Sequence, residues 1–207
     1  MLSAESLNAH LLAARGCQVP SLVRVPTGQT CFIKPMLDSG ANGIIVPMVR
    51  SSEEVKSIVA DCRYPPLGTR GFGPRLPSKY GRDPIDVVVE RENREVFVAV
   101  MIETAEALED IDQIVQVKGL DSVVIGPVDL SFALEVGGDL ENPKVVAAQE
   151  IIIAKAKAAG VIVGAGLAPD ASYGRILVAR GVQWLQAGGD FAYLHQYFDQ
   201  MKAEISG

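Results

Sequence analysis

The sequence predicts an α/β fold whose parallel sheet is covered by helices, and two observations carry that prediction. Its strand-like segments are near-continuous apolar runs rather than alternating ones, and helical segments separate them one by one. No glycine-rich nucleotide fingerprint follows the first run, which reads VRVPTGQT. Continuous apolar strands need cover on both faces, and helices crossing between parallel strands supply it.

Taken in order, residues 3–14 read as a helix: Ser3 precedes Leu7, Leu11 and Leu12 at helical spacing, Glu5 lies in the first turn, and Gly16 marks the stop. An apolar run at 21–25 closes at Pro26, and a helical stretch at 30–39 ends at Gly40. Residues 43–47, GIIVP, are short, β-branched and bounded by Gly and Pro, the signature of a buried strand. Residues 51–62 form an amphipathic helix opened by Ser-Ser-Glu-Glu, and 64–80 a Pro/Gly-rich loop too long for a bare connection. Strands follow at 97–103, 122–126, 162–166 and 184–188, with helices at 105–115, 144–159, 170–180 and 192–205. Six strands suit an open doubly wound sheet, a closed barrel wants eight, and a chain opening on a helix is odd for either. The count leaves both open.

Composition narrows the function. The 207 residues are 48% hydrophobic and 21% charged, ordinary for a globular α/β enzyme and wrong for a disordered chain. A net charge of −6 argues against nucleic acid or an anionic membrane as partner, while leaving room for an anionic small molecule at a local cation. Cys17, Cys31 and Cys62 form no CxxC and cannot all pair, which predicts reduced thiols and a cytoplasmic location. No apolar run reaches the ~18–20 residues that cross a bilayer, and the N-terminal residues carry no secretory pattern.

In parallel α/β folds, chemistry gathers beyond the C-terminal ends of the strands. Those ends here carry Arg24, Pro47, Glu103, Asp129 and the glycines of VGAG and QAGGD. Glu103 and Asp129 terminate consecutive strands, expected to neighbour each other at ~4.8 Å. Two carboxylates without His or Cys suit a hard cation, Mg²⁺ or Mn²⁺, better than zinc. Their plainer alternative is ion pairing with a Lys or Arg, or capping of the next helix. Arg24 would complete a positive clamp for a small 2-oxo acid and its enolate oxygen; its alternative is an ion pair at the rim. The Gly126-Pro127-Val128-Asp129 turn lets backbone approach a ligand, or serves only as a tight strand-to-helix turn. The GTRGFGP segment, with Arg70 and Arg75 in and beside it, is expected either as a lid over a pocket or as an exposed excursion. His10 and His195, the only histidines, fall in helices away from strand ends and are expected at the surface or an interface.

In this order the segments VRVP, DSGANGIIVP, RYPPLGTRGFG, IETAEAL and IGPVDLS resemble the HpcH/HpaI family of class II pyruvate aldolases, over essentially the whole chain. The resemblance implies a TIM (β/α)8-type barrel, here an incomplete one whose six strands are the family's strands three to eight, forming one partial domain over residues 1–207. It implies cleavage of 4-hydroxy-2-oxo acids to pyruvate and an aldehyde with a divalent metal, Mg²⁺ first and Mn²⁺ or Co²⁺ after it. It also implies a homo-oligomer, trimer or hexamer. By motif, Glu103 and Asp129 match the metal ligands, and Arg24 the arginine that contacts the oxo group and stabilises the enolate. Val128, in its turn with Gly126 and Pro127, matches the backbone contact to the pyruvate carboxylate. Asp38 matches the aspartate that tunes a catalytic histidine.

Two departures stand out. Met101 occupies a substrate-contacting position that is usually Gln in the family, and a thioether is a poor hydrogen-bonding partner. The family's base, a His, belongs to a segment just before the helix that opens this chain, so the expectation is N-terminal truncation. Two other readings follow: a catalytically impaired remnant that binds 2-oxo acids or oligomerises, and a barrel lyase of coenzyme A thioesters, which RGFGP and GPVDLS fit less well.

Overall fold

A computed structural model describes residues 4–206. The expected cap Ser3 lies outside the described residues. In chain order the elements are α1 (Ala4–Gly16), β1 (Leu22–Arg24), α2 (Thr30–Asp38), β2 (Gly43–Val46), α3 (Ser52–Cys62), α4 (Ile85–Glu95), β3 (Phe97–Ile102), α5 (Ala105–Glu109), α6 (Ile111–Ile114), β4 (Ser122–Ile125), α7 (Pro127–Ala133), α8 (Pro143–Ala159), β5 (Ile162–Leu167), α9 (Ala171–Arg180), β6 (Trp184–Ala187) and α10 (Asp190–Ser206). Every expected strand is present. Two helices, α4 and α7, were not expected, and the single helix anticipated at 105–115 is divided at Asp110 into α5 and α6.

All five strand pairings are parallel, and the strands lie in sequence order from β1 to β6. No pairing joins β6 back to β1, so the described residues form a TIM-type half-barrel, two strands short of the eight that close one. Side chains alternate between its two faces with the strand period of two. Ile44, Val46, Val98, Val100, Ile102, Val123, Ile125, Val163 and Ala165 face outward into the main core shared with the helices. Ile45, Ala99, Met101 and Val124 face the concave side, where Phe97 and Trp184 pack against them.

Trp184 lies so close over Gly164 that a Cβ there would come within 2.3 Å of the indole, and its Nε1–H donates to Ser122 Oγ at 3.1 Å. That ring and Phe97 pack against the residues of the concave face below the C-terminal mouth. Local chemistry holds the mouth in register. Ser51 caps α3 by accepting from the Glu54 N–H at 3.3 Å. Thr104 caps α5 by accepting from the Ala107 N–H, and donates its own hydroxyl to the Val49 carbonyl at 2.8 Å, tying the end of β3 to the loop after β2.

Candidate active site

Continuing the inward alternation of β3 one step past Met101 brings Glu103 onto the concave side at the mouth. It is buried, with 2% of its surface exposed, in spite of carrying a carboxylate. One oxygen, Oε1, accepts the Met48 N–H at 2.9 Å. The other, Oε2, is fully enclosed and has no hydrogen-bond partner. Gly126, at the end of β4, makes this possible: a Cβ there would stand 2.1 Å from Oε2. The glycine of the GPVD turn is thus explained by contact with the carboxylate of the neighbouring strand, more specifically than by turn geometry alone.

Asp129 lies in the first turn of α7, solvent-exposed, with Pro127 at that helix's start. Burial is the main cause of a raised Glu103 pKa, and the Asp129 charge raises it further; the Met48 N–H and the Arg24 charge oppose them. Two anions and one guanidinium therefore share one field. Arg24, at the C-terminal end of β1, has Nη1 4.0 Å from Met101 Sδ. Its guanidinium makes no ion pair among the described residues, so the rim salt bridge weighed as its plainer role is not formed.

The residues present fit a divalent cation. A charged oxygen buried without a partner is costly, and a second carboxylate beside it raises that cost; a cation answers both. No group of three or more His, Cys, Asp or Glu side chains is assembled among the described residues, so water or substrate must complete the shell, as hard ions of the Mg²⁺ type allow.

Met101, Glu103, Gly126, Pro127, Val128, Asp129 and Arg24 thus collect at the ends of β1, β3 and β4. Asp38 does not join them in this chain. It ends α2, which descends from the mouth to the N-terminal side of the sheet. There it bonds Arg70 Nη2 at 2.9 Å and pairs with Lys34. The 68–74 segment is not a lid over the mouth: Arg70 and Pro74 are buried on the underside, while Thr69, Gly71, Phe72 and Gly73 are exposed. The Arg70 N–H bonds the Arg63 carbonyl, and Arg63 in turn bonds the carbonyls of Val96 and Gly119, just before β3 and β4. Arg70 has 2% of its surface exposed, pairs also with Glu92 at 3.4 Å, and lies 4.5 Å over the Tyr64 ring. The loop closes the underside of the sheet.

Met48 was missed in the sequence. It contributes through its backbone N–H, held by a left-handed φ of 58°, and no side-chain pattern announces such a donor. His10 and His195 are exposed, and neither bonds to Glu103, Asp129 or Arg24.

A parallel half-barrel with carboxylates and an arginine at its C-terminal mouth defines an enzyme of the TIM-barrel class. The profile of the HpcH/HpaI aldolase/citrate lyase family matches residues 2–196, and the chain belongs to that family. It is 33% identical over 186 residues to a hydroxypyruvate/pyruvate aldolase of Agrobacterium fabrum, covering 90% of this chain and 70% of that protein. It is 36% identical over 194 residues to a 4-hydroxy-2-oxovalerate aldolase of Rhodococcus jostii, covering 94% and 73%. The crystal structure of an HpcH/HpaI aldolase from Desulfitobacterium hafniense superposes with a TM-score of 0.93 at 35% identity, covering 99% of this chain and 79% of that one.

Proposed function

We propose that the chain is a metal-dependent aldolase that cleaves 4-hydroxy-2-oxo acids to pyruvate and an aldehyde. The observation that carries the proposal is the enclosed, unpartnered Oε2 of Glu103, at a mouth shared with Asp129 and Arg24. Glu103 and Asp129 would hold the ion, with Mg²⁺ preferred to Mn²⁺ or Co²⁺ for an all-oxygen donor set. Bound there, a divalent ion supplies electrophilic assistance to a 2-oxo acid.

The chain's own residues supply the rest. Arg24, charged and not paired to a carboxylate, offers guanidinium N–H donors to the oxo oxygen as negative charge grows on it. The Gly126–Val128 backbone receives the substrate carboxylate. Met101 gives an apolar wall where a polar contact would otherwise form. A water molecule, or the histidine that the family resemblance places before α1, moves the proton to and from the 4-hydroxyl. A homo-oligomer agrees with α10, which has no buried residue and exposes Phe191, Tyr193, Leu194, Tyr197 and Phe198. No described helix is long and apolar enough to cross a membrane. Three free cysteines agree with a cytoplasmic location.

The test is pyruvate release from a 4-hydroxy-2-oxo acid with Mg²⁺, where Glu103→Gln is expected to lower kcat/KM by about 100-fold or more. Unaltered turnover in that variant would contradict the assignment. Met101, a poor hydrogen-bonding partner at a substrate-facing position, favours one second reading, a chain that binds 2-oxo acids without turning them over. Mg²⁺-dependent pyruvate binding with no pyruvate release would select it.

A further inference from the structure

The row of inward positions at the mouth extends past Glu103. Register pairs Met101 with Val124, Val124 with Gly164, and Gly164 with Trp184. Two residues further along each strand, the same row reads Glu103, Gly126, Gly166 and Gln186, and the last two are directly paired. Leu185 packs with the outer core, so its neighbours Trp184 and Gln186 take the concave side. Glu103 and Gln186 therefore face each other across two positions that carry no side chain.

The two glycines differ. A Cβ on Gly126 would collide with Glu103, but a Cβ on Gly166 would meet nothing nearer than Gln186 Oε1, at 3.9 Å. Gly166 leaves open floor, and the Gln186 amide leans over it. That amide makes no side-chain hydrogen bond among the described residues, and Gln186 is exposed. With strands ~4.8 Å apart, the backbones of β3 and β6 stand roughly 14 Å from each other at this row. Side chains reaching in from both sides leave a gap the length of a few carbon atoms. A 2-oxo acid held at Glu103 and Arg24 would extend its aldehyde-derived carbons into that gap, toward Gln186.

We propose that Gln186 sets aldehyde specificity in the reaction assigned above, selecting neutral aldehydes that carry a hydroxyl. The inference rests on the aldolase reading of the Glu103 mouth. An amide both donates and accepts, matching a hydroxyl in either role, and carries no charge to hold an acidic aldehyde. An alkyl aldehyde would leave it unpaired and take away its water, which is the usual source of discrimination at a polar wall.

Glycolaldehyde and propanal differ by OH against CH3 at equal length, and their addition to pyruvate reads the effect. Pyruvate C3 loses one proton and bonds to the aldehyde carbon, whose oxygen gains one proton, so no oxidant or further reactant is needed. The expected result is a glycolaldehyde-to-propanal kcat/KM ratio well above one, falling about five- to tenfold in Gln186→Leu, a change of similar volume. A uniformly slower variant with the same ratio would contradict the assignment, since general damage moves both aldehydes together. Turnover of both aldehydes with the ratio unchanged overturns this proposal alone. Turnover of neither by the unsubstituted protein overturns the aldolase reading and this proposal with it.

Discussion

The two ends of the half-barrel handle charge in opposite ways. On the underside, Arg70 is buried, and two carboxylates, Asp38 and Glu92, close around it while Tyr64 lies under its face. At the mouth, Glu103 is as deeply buried, yet its charge is answered by one backbone N–H and one oxygen is left open. Unpaired atoms exist below as well, Arg70 Nε and the Tyr64 hydroxyl, but one belongs to a cation already balanced and the other is neutral. Buried charge that the fold completes by itself is scaffold. Buried charge left incomplete, beside a second like charge, is where a ligand is called for.

This contrast can be broken experimentally, most forcefully at Arg70. Arg70→Met removes the buried cation that Asp38 and Glu92 share, leaving Asp38 to Lys34 and Glu92 to the longer Arg91 contact, and is expected to cost about 3–5 kcal/mol in urea unfolding. A loss under 1 kcal/mol would mean that the underside is not held by its ion cluster. Glu103→Gln should do the reverse, keeping apo stability within about 1 kcal/mol of the parent while removing activity, because it takes away a charge that the fold compensates only in part. Equal destabilisation by the two variants would erase the distinction.

Smaller effects sharpen it. Burial pushes the Tyr64 phenol up to about 12, from 10.0. Its folded-state value is raised, so its contribution is present in full below pH 10 and is lost as pH rises through about 12. Tyr64→Phe should therefore soften alkaline unfolding across that window and cost little at neutral pH, since the hydroxyl has no partner to lose. An unchanged alkaline limb would contradict this. Cys62, also buried, is pushed up to about 12, whereas Cys17 and Cys31 are exposed. A thiol reagent at pH 8 should titrate two cysteines in the native protein and three after denaturation.

The sequence carried the strands well, because residues 43–47, 97–103 and 122–126 are apolar runs with clear borders. It hid α4, whose VVV start reads as strand as readily as helix, and α7, which has only seven residues behind a Gly-Pro turn. The mouth residues Arg24, Met101, Glu103 and Asp129 were legible because strand ends and motif coincide there. The places of Asp38 and the 68–74 loop in the fold were not legible, for one reason. Motif matching names a residue without saying at which end of the sheet it stands. Direction supplies what motif did not: a strand rises, the next helix descends, and whatever precedes the following strand lies below. Asp38 ends a helix just before β2 and so stands on the underside. The Met48 donor and the Gln186 amide needed coordinates, the first because its group is backbone and the second because it is defined by its neighbours across the sheet.

Manganese binding, followed by the loss of the free-ion paramagnetic resonance signal on titration with protein, tests the open carboxylate most directly. One Mn²⁺ bound per chain, displaced by Mg²⁺ and lost in both Glu103→Gln and Asp129→Asn, is the expected result. Equal binding by the parent and both variants would contradict it.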